Sequence, residues 1–128
     1  MRVHVVALPH TDPTFDWSTC AYSQKVRRLG GMLTSMGHEV ILYAGERSDA
    51  IVTEHVQVVT DADRRRWFGD ETWRERVFDR WEPSDPAWVE MNAKAIAAIT
   101  ARASGCSLDC CKAADRRSTA SRLWPGAA

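Results

Sequence analysis

The sequence predicts an α/β domain built on a parallel sheet. Three features carry that reading: two apolar runs rich in β-branched residues at positions 2–8 and 40–43, a helical pattern between them, and a glycine where that helix should stop. Strand, helix and strand in that order form a βαβ unit, whose crossover makes the two strands parallel and normally right-handed. A third run, positions 56–59 within EHVQVV, adds another strand. The expected class is a Rossmann-like parallel sheet of about three strands with helices.

The elements follow in chain order. The first strand stops at Pro9, and PHTDPTFDWST (9–19) is dense in turn formers and polar groups, so it is a loop. From about Ala21, Tyr22, Val26, Leu29, Leu33 and Met36 recur at three- and four-residue spacing, one apolar helix face, with Lys25, Arg27 and Arg28 off it. Gly30 and Gly31 each weaken that helix by about 1 kcal/mol relative to alanine, or else let it approach the sheet closely. Gly37 is placed for a C-terminal cap. Positions 44–49 form the loop after the second strand. Asp61 is expected to cap a short helix through Trp67, broken by Gly69. Trp73, Val77 and Trp81 predict a further short helix. After the break EPSDP, Asp85 caps a new helix with Pro86 in its first turn. Trp88, Met91, Ala95 and Ile99 give that helix its apolar stripe to about Arg102. Residues 1–102 read as one domain; 103–128 show no sustained periodicity and read as an irregular tail.

Composition narrows the function classes. The 128 residues suit one domain, and 17 basic residues balance 17 acidic ones, so no net field draws nucleic acid or an anionic membrane. The stretch RRRWFGDETWRERVFDRW interleaves bases and aromatics, but Asp63, Asp70, Glu71, Glu75 and Asp79 offset the charge. Its aromatics fall at helical spacing, the pattern of a packing face rather than a nucleic-acid platform. No run approaches the ~20 apolar residues of a membrane span, and the N-terminal run is too short for a secretory signal, so a cytoplasmic location is expected. Of the four cysteines, three crowd into the tail as C-x3-C-C without a nearby histidine. Adjacent cysteines rarely share one ion, and no metal site is expected. There is no GxGxxG and no Walker loop, since Gly30 and Gly31 fall mid-helix, which argues against a bound dinucleotide or ATP.

Open parallel sheets bind ligands beyond the carboxyl ends of their strands. The 9–19 loop lies there and offers His10, Thr11, Asp12, Asp16, Ser18 and Thr19, with helix amides behind it for an anion. His10 is the candidate general base, polarised by Asp12 or by Glu46 from the next strand end. The alternative is that these residues serve as turn and cap chemistry alone.

Three segments, RVHVVALPHT, CAYSQKVRRLGGMLTSMGHEVILYAG and WEPSDPAWVEMNAKAIAAI, together resemble the N-terminal domain of a GT-B-type glycosyltransferase. Gly37, His38, Glu39 and Val40 match the turn with which that family ends its first helix and enters the second strand. The resemblance covers residues 1 to about 102. It implies an acceptor-side domain of an enzyme that moves a sugar from a nucleotide-sugar donor. His10 would be its catalytic residue, Thr11, Gly45 and Glu46 its substrate contacts, and no metal would be needed. The donor would be held by a second domain, so this chain is expected to be inactive alone. Where the family continues with a strand and a helix, the sequence has its Cys, Arg and Ser-rich tail. Permissible codons for SLDCCKAADRRSTA, read one base on, yield LWIAAKPQIAAALP, a strand-turn-helix pattern, so a shifted reading frame is expected; the DNA beyond codon 102 tests it. A three-strand sheet would leave one edge and one helix face uncovered, with self-association as the expected consequence. The rival reading is a non-catalytic Rossmann-like binding or interaction domain.

Overall fold

The computed structural model describes residues 1–69 and 84–104. The chain divides after Ala97 into two units, Met1–Ala97 and Ala98–Ala128. Of the second, only the end of a helix is described, and the account below concerns the first. The helix expected around Trp73, Val77 and Trp81, and the tail with its three cysteines, lie outside the described residues.

The expected α/β class is what forms. Strands β1 (Arg2–Val6), β2 (Glu39–Ala44) and β3 (Glu54–Gln57) make one sheet in the order β1-β2-β3. Both pairings are parallel: Val3 lies beside Val40 and Val5 beside Leu42, while Leu42 lies beside His55. β2 is central, and its residues from Val40 to Ala44 are at most 2% exposed, as a near-continuous apolar run requires. β3 begins and ends two residues earlier than expected. The ladder against β2 fixes its span, and Val58 and Val59, though buried, follow it with amides turned back to the Ala44 carbonyl.

Helix α1 (Ala21–Ser35) makes the first crossover. It closes as the sequence foretells, with Gly37 at φ +81°. The His38 amide donates to the Leu33 carbonyl and the Gly37 amide to the Thr34 carbonyl, the paired bonds of a Schellman cap. Its buried face differs from the expected one. Ser23, Val26 and Gly30 point inward, while Tyr22, Leu29, Met32 and Met36 are exposed. Small residues let the backbone sit close: a Cβ on Gly30 would come within 2.8 Å of Val52 Cγ1 and 3.2 Å of the Ile51 carbonyl oxygen. The inward face therefore keeps Val26 of the apolar stripe and turns toward the small residues Ser23 and Gly30 beside it.

Helix α2 (Asp61–Phe68) is capped by Thr60 rather than Asp61. Thr60 has extended backbone angles and its hydroxyl accepts from the Asp63 amide at 3.0 Å, while Asp63 Oδ2 accepts from the Thr60 amide at 3.0 Å. These reciprocal bonds satisfy two orphan donors of the first turn. Gly69 ends the helix at φ +92°. Helix α3 (Pro86–Ser104) starts as expected, Asp85 Oδ1 accepting from the Ala87 amide at 3.0 Å, and buries Ala87, Met91 and Ala95. A second network ties α2 to α3. Arg66 bridges Glu90 and Asp63, and Lys94 Nζ reaches Asp63 Oδ2 at 2.7 Å. Burial opposes the charge on Asp63, but bonds from Lys94, the Thr60 amide and Arg66 outweigh it and hold the carboxyl well below its usual range.

Candidate functional site at the carboxyl end of the sheet

The loop after β1 folds inward. Pro9, His10, Thr11, Asp12 and Pro13 are all buried, whereas Asp16, Ser18 and Thr19 face solvent. A single 3₁₀ turn, Phe15–Trp17, carries Trp17 down against Leu8 and Cys20, with Phe68 and Trp88 packed on that cluster. Gln24 in the first turn of α1 holds the loop from beneath, donating to the carbonyls of Thr14 and Trp17 at 3.3 and 3.0 Å. Thr11 Oγ1 and Ser23 Oγ share a hydrogen bond of 2.7 Å, which links the loop to the inward face of α1.

The centre of the site is a residue that the sequence reading did not single out. Arg64 of α2 has no solvent exposure. Its Nε donates to the Pro9 carbonyl at 3.0 Å, and its Nη2 donates to the Thr11 carbonyl at 3.0 Å and to Asp12 Oδ1 at 2.8 Å. Nη1 reaches Asp61 Oδ1 at 3.3 Å. A planar fork with five donors suits such a set of convergent acceptors, and an ammonium would not. The other oxygen of Asp12, Oδ2, lies 3.2 Å from Arg47 Nε: an ion pair, though out of line for a hydrogen bond. Arg47 also grips both oxygens of Asp61, at 3.1 and 3.0 Å. Two guanidinium groups and two carboxylates thus alternate at the strand ends, and a buried pair of opposite sign avoids the cost of an uncompensated charge.

The four residues expected in the site are placed as follows. Thr11 lies in the network through its carbonyl and its hydroxyl. Gly45, directly after β2, leaves room for that network, since a Cβ there would overlap Asp12 Oδ1 and Arg64 Nη2. Its carbonyl accepts from His55 Nε2 at 3.0 Å when that nitrogen bears the proton. Glu46 Oε1 accepts from the Asp61 amide at 2.8 Å and so sits on the positive end of α2. His10 is 7% exposed and meets Trp88 edge-on, ring centres 6.3 Å apart. Burial, and then the Arg64 charge, lower its pKa from 6.5 to about 4, so the imidazole is neutral near pH 7.

Neither carboxylate expected to polarise His10 hydrogen-bonds it among the described residues. Asp12 is taken by Arg64 and Arg47, and Glu46 by the α2 amide. The reason is electrostatic: a buried carboxylate goes to a permanent cation within reach, and for Asp12 that is Arg64, 2.8 Å away. The site can therefore present a neutral imidazole beside an aromatic edge, but not a carboxylate-histidine pair. The described residues hold no cluster of three metal-ligating side chains, and no described helix is long and apolar enough to cross a membrane.

No family model, curated protein or solved structure matches the chain.

Proposed function

We propose that this chain is the acceptor-side domain of a GT-B-type glycosyltransferase, inactive alone because its nucleotide-sugar donor would be held by a second domain. The observation that supports this most is the buried polar group at the end of β1, where a neutral His10 stands against Trp88 at the carboxyl edge of a parallel sheet. A neutral imidazole beside an indole edge suits a sugar hydroxyl: the ring nitrogen accepts the hydroxyl proton and the indole covers an apolar face of the sugar. A pKa near 4 makes His10 a weak base, so its part in this reading is an acceptor contact first and a proton acceptor second.

The experiment is a nuclear magnetic resonance titration of the full chain, labelled at histidine and tryptophan. The titrants are a panel of carbohydrates and, separately, nucleotide sugars. The reading expects a carbohydrate to move the His10 and Trp88 resonances, and expects nucleotide sugars neither to move them nor to be turned over. Silence from every carbohydrate, or turnover of a nucleotide sugar by the chain alone, overturns it.

A second reading has an observation of its own. The Arg64 guanidinium already fills the strand-end crevice, so the polar network serves equally as a latch that seats α2. On that reading the chain is a non-catalytic Rossmann-like interaction domain, and the carbohydrate titration is silent while the fold is intact.

A further inference from the structure

Between β1 and α1 runs an open groove of about 470 Å³. Its apolar wall is Val5 of β1 with Tyr22, Val26, Leu29 and Met32 of α1, and Lys25 and Arg28 complete the lining. Met32 is 55% exposed and Leu29 38%. Tyr22 and Leu29 belong to the apolar face that the periodicity marks on α1, and the fold leaves both exposed. A concave, largely apolar surface flanked by charge has the make-up of a surface that could receive a partner.

The charge is of one sign. α1 carries Lys25, Arg27 and Arg28 and no acidic residue. Arg27 is paired with Asp49, whereas Lys25 and Arg28 have no ion-pair partner among the described residues. Two copies meeting α1 against α1 would set these cations against each other, which disfavours a symmetric dimer here. A bilayer surface would touch the rim and leave the concavity unfilled.

The sheet edge decides between a strand and a helix as occupant. Among the described residues β1 has a neighbour on one side only. The Met1 carbonyl and the Ala7 amide bond to β2, so in the alternation of a parallel ladder Arg2, His4 and Val6 face outward. The Val6 carbonyl already accepts from the Tyr22 hydroxyl at 3.1 Å. At most a short stretch of β1 remains for strand addition, too little for a stable β pairing.

We propose that this groove is a docking site for an amphipathic helix of a partner polypeptide, one whose apolar stripe is flanked by carboxylates. The helix lies alongside α1 over Val5. Its stripe covers Leu29 and Met32, and its acidic flank meets Lys25 and Arg28. This assignment does not depend on the sugar-transfer reading, because it uses no residue of the strand-end site.

The test uses the full chain and two synthetic helical peptides of about five turns, identical in their leucine stripe and flanked by Glu in one and Lys in the other. Fluorescence anisotropy of the labelled peptides gives the affinity. The Glu-flanked peptide is expected to bind in the micromolar range and to weaken at least about tenfold in the double variant Lys25→Glu, Arg28→Glu. The Lys-flanked peptide is expected to bind that variant in preference. Met32→Glu, at an exposed position, is expected to abolish binding while the circular dichroism stays unchanged. The proposal is overturned if the Glu-flanked peptide fails to bind at about 100 µM, or if it binds the charge-reversed chain equally well. It is also overturned if anionic phosphatidylserine vesicles compete the peptide away, or if sedimentation in dilute low-salt buffer shows a dimer that Met32→Glu dissolves.

Discussion

Gly45, Asp12 and Arg64 act as a unit. The glycine makes the space, the carboxylate turns into it, and the guanidinium fills it. Arg64→Met keeps the bulk but strands Asp12 as a buried charge facing only Arg47, and is expected to cost about 3–5 kcal/mol in urea unfolding. Replacing Asp12 with Asn in that background should return part of the loss, because the stranded charge is then gone; strict additivity of the two changes would refute the coupling. Gly45→Ala is expected to destabilise by about 1–3 kcal/mol or more, since the added methyl meets two groups with no room to retreat. His10 sets a pH dependence of its own. Its folded pKa, about 4, lies below its ordinary 6.5. Between those values the unfolded chain binds a proton that the folded chain refuses. Stability is therefore full above about pH 6.5 and falls as pH drops toward 4, by roughly 3 kcal/mol in total. Unfolding midpoints at several pH values check this, and His10→Gln should flatten the curve in that window. Loss of paired carboxylates such as Asp63 acts at lower pH.

Single elements show what the sequence made legible. β1, α1 and β2 were readable because their signals are local: a β-branched run, a 3.6-residue period, a glycine at the turn. Which face of α1 turned inward was not. Spacing marks an apolar stripe but says nothing of how closely Gly30 lets the backbone approach Ile51 and Val52, or of the bond from Ser23 to Thr11. Arg64 was hidden for a related reason. In DADRRRWF it looks like one of three solvated bases, and its partners Pro9, Thr11 and Asp12 are more than fifty residues away in the chain. Gly45, at the exit of a buried strand, was the one available hint that something large lay across it. The cap of α2 lies one residue before Asp61, because Thr and Asp are both good caps and only the backbone angles choose between them. Thr60→Ala removes half of that capping box and is expected to cost about 1–2 kcal/mol. It should also loosen Arg64, whose helix it seats. A Thr60→Ala chain with unchanged amide exchange across α2 would contradict that linkage.

Within the unit Met1–Ala97, among the described residues, the sheet edge at β1 and the exposed apolar residues Leu29 and Met32 of α1 stand open on the same side, around Val5. Apolar surface of that kind promotes association, while Lys25 and Arg28 beside it oppose contact between like copies. The balance has a definite sign with salt. At low ionic strength the repulsion reaches across a contact, because the Debye length at 0.01 M is about 30 Å; near 1 M it is about 3 Å and the repulsion is gone. The apolar attraction survives screening and is strengthened by excluded salts such as sulfate. Self-association is therefore expected to be weak in dilute buffer and to rise with salt, the reverse of an assembly held by ion pairs. Sedimentation velocity across a salt series measures it directly. Met32→Glu should suppress the high-salt species, whereas Lys25→Glu alone, by removing the repulsion, should bring it on at lower salt. An oligomer that dissolves as salt is added would place the contact on the charged surfaces of α2 and α3 instead, where Arg66, Lys94, Asp63 and Glu90 already alternate in sign.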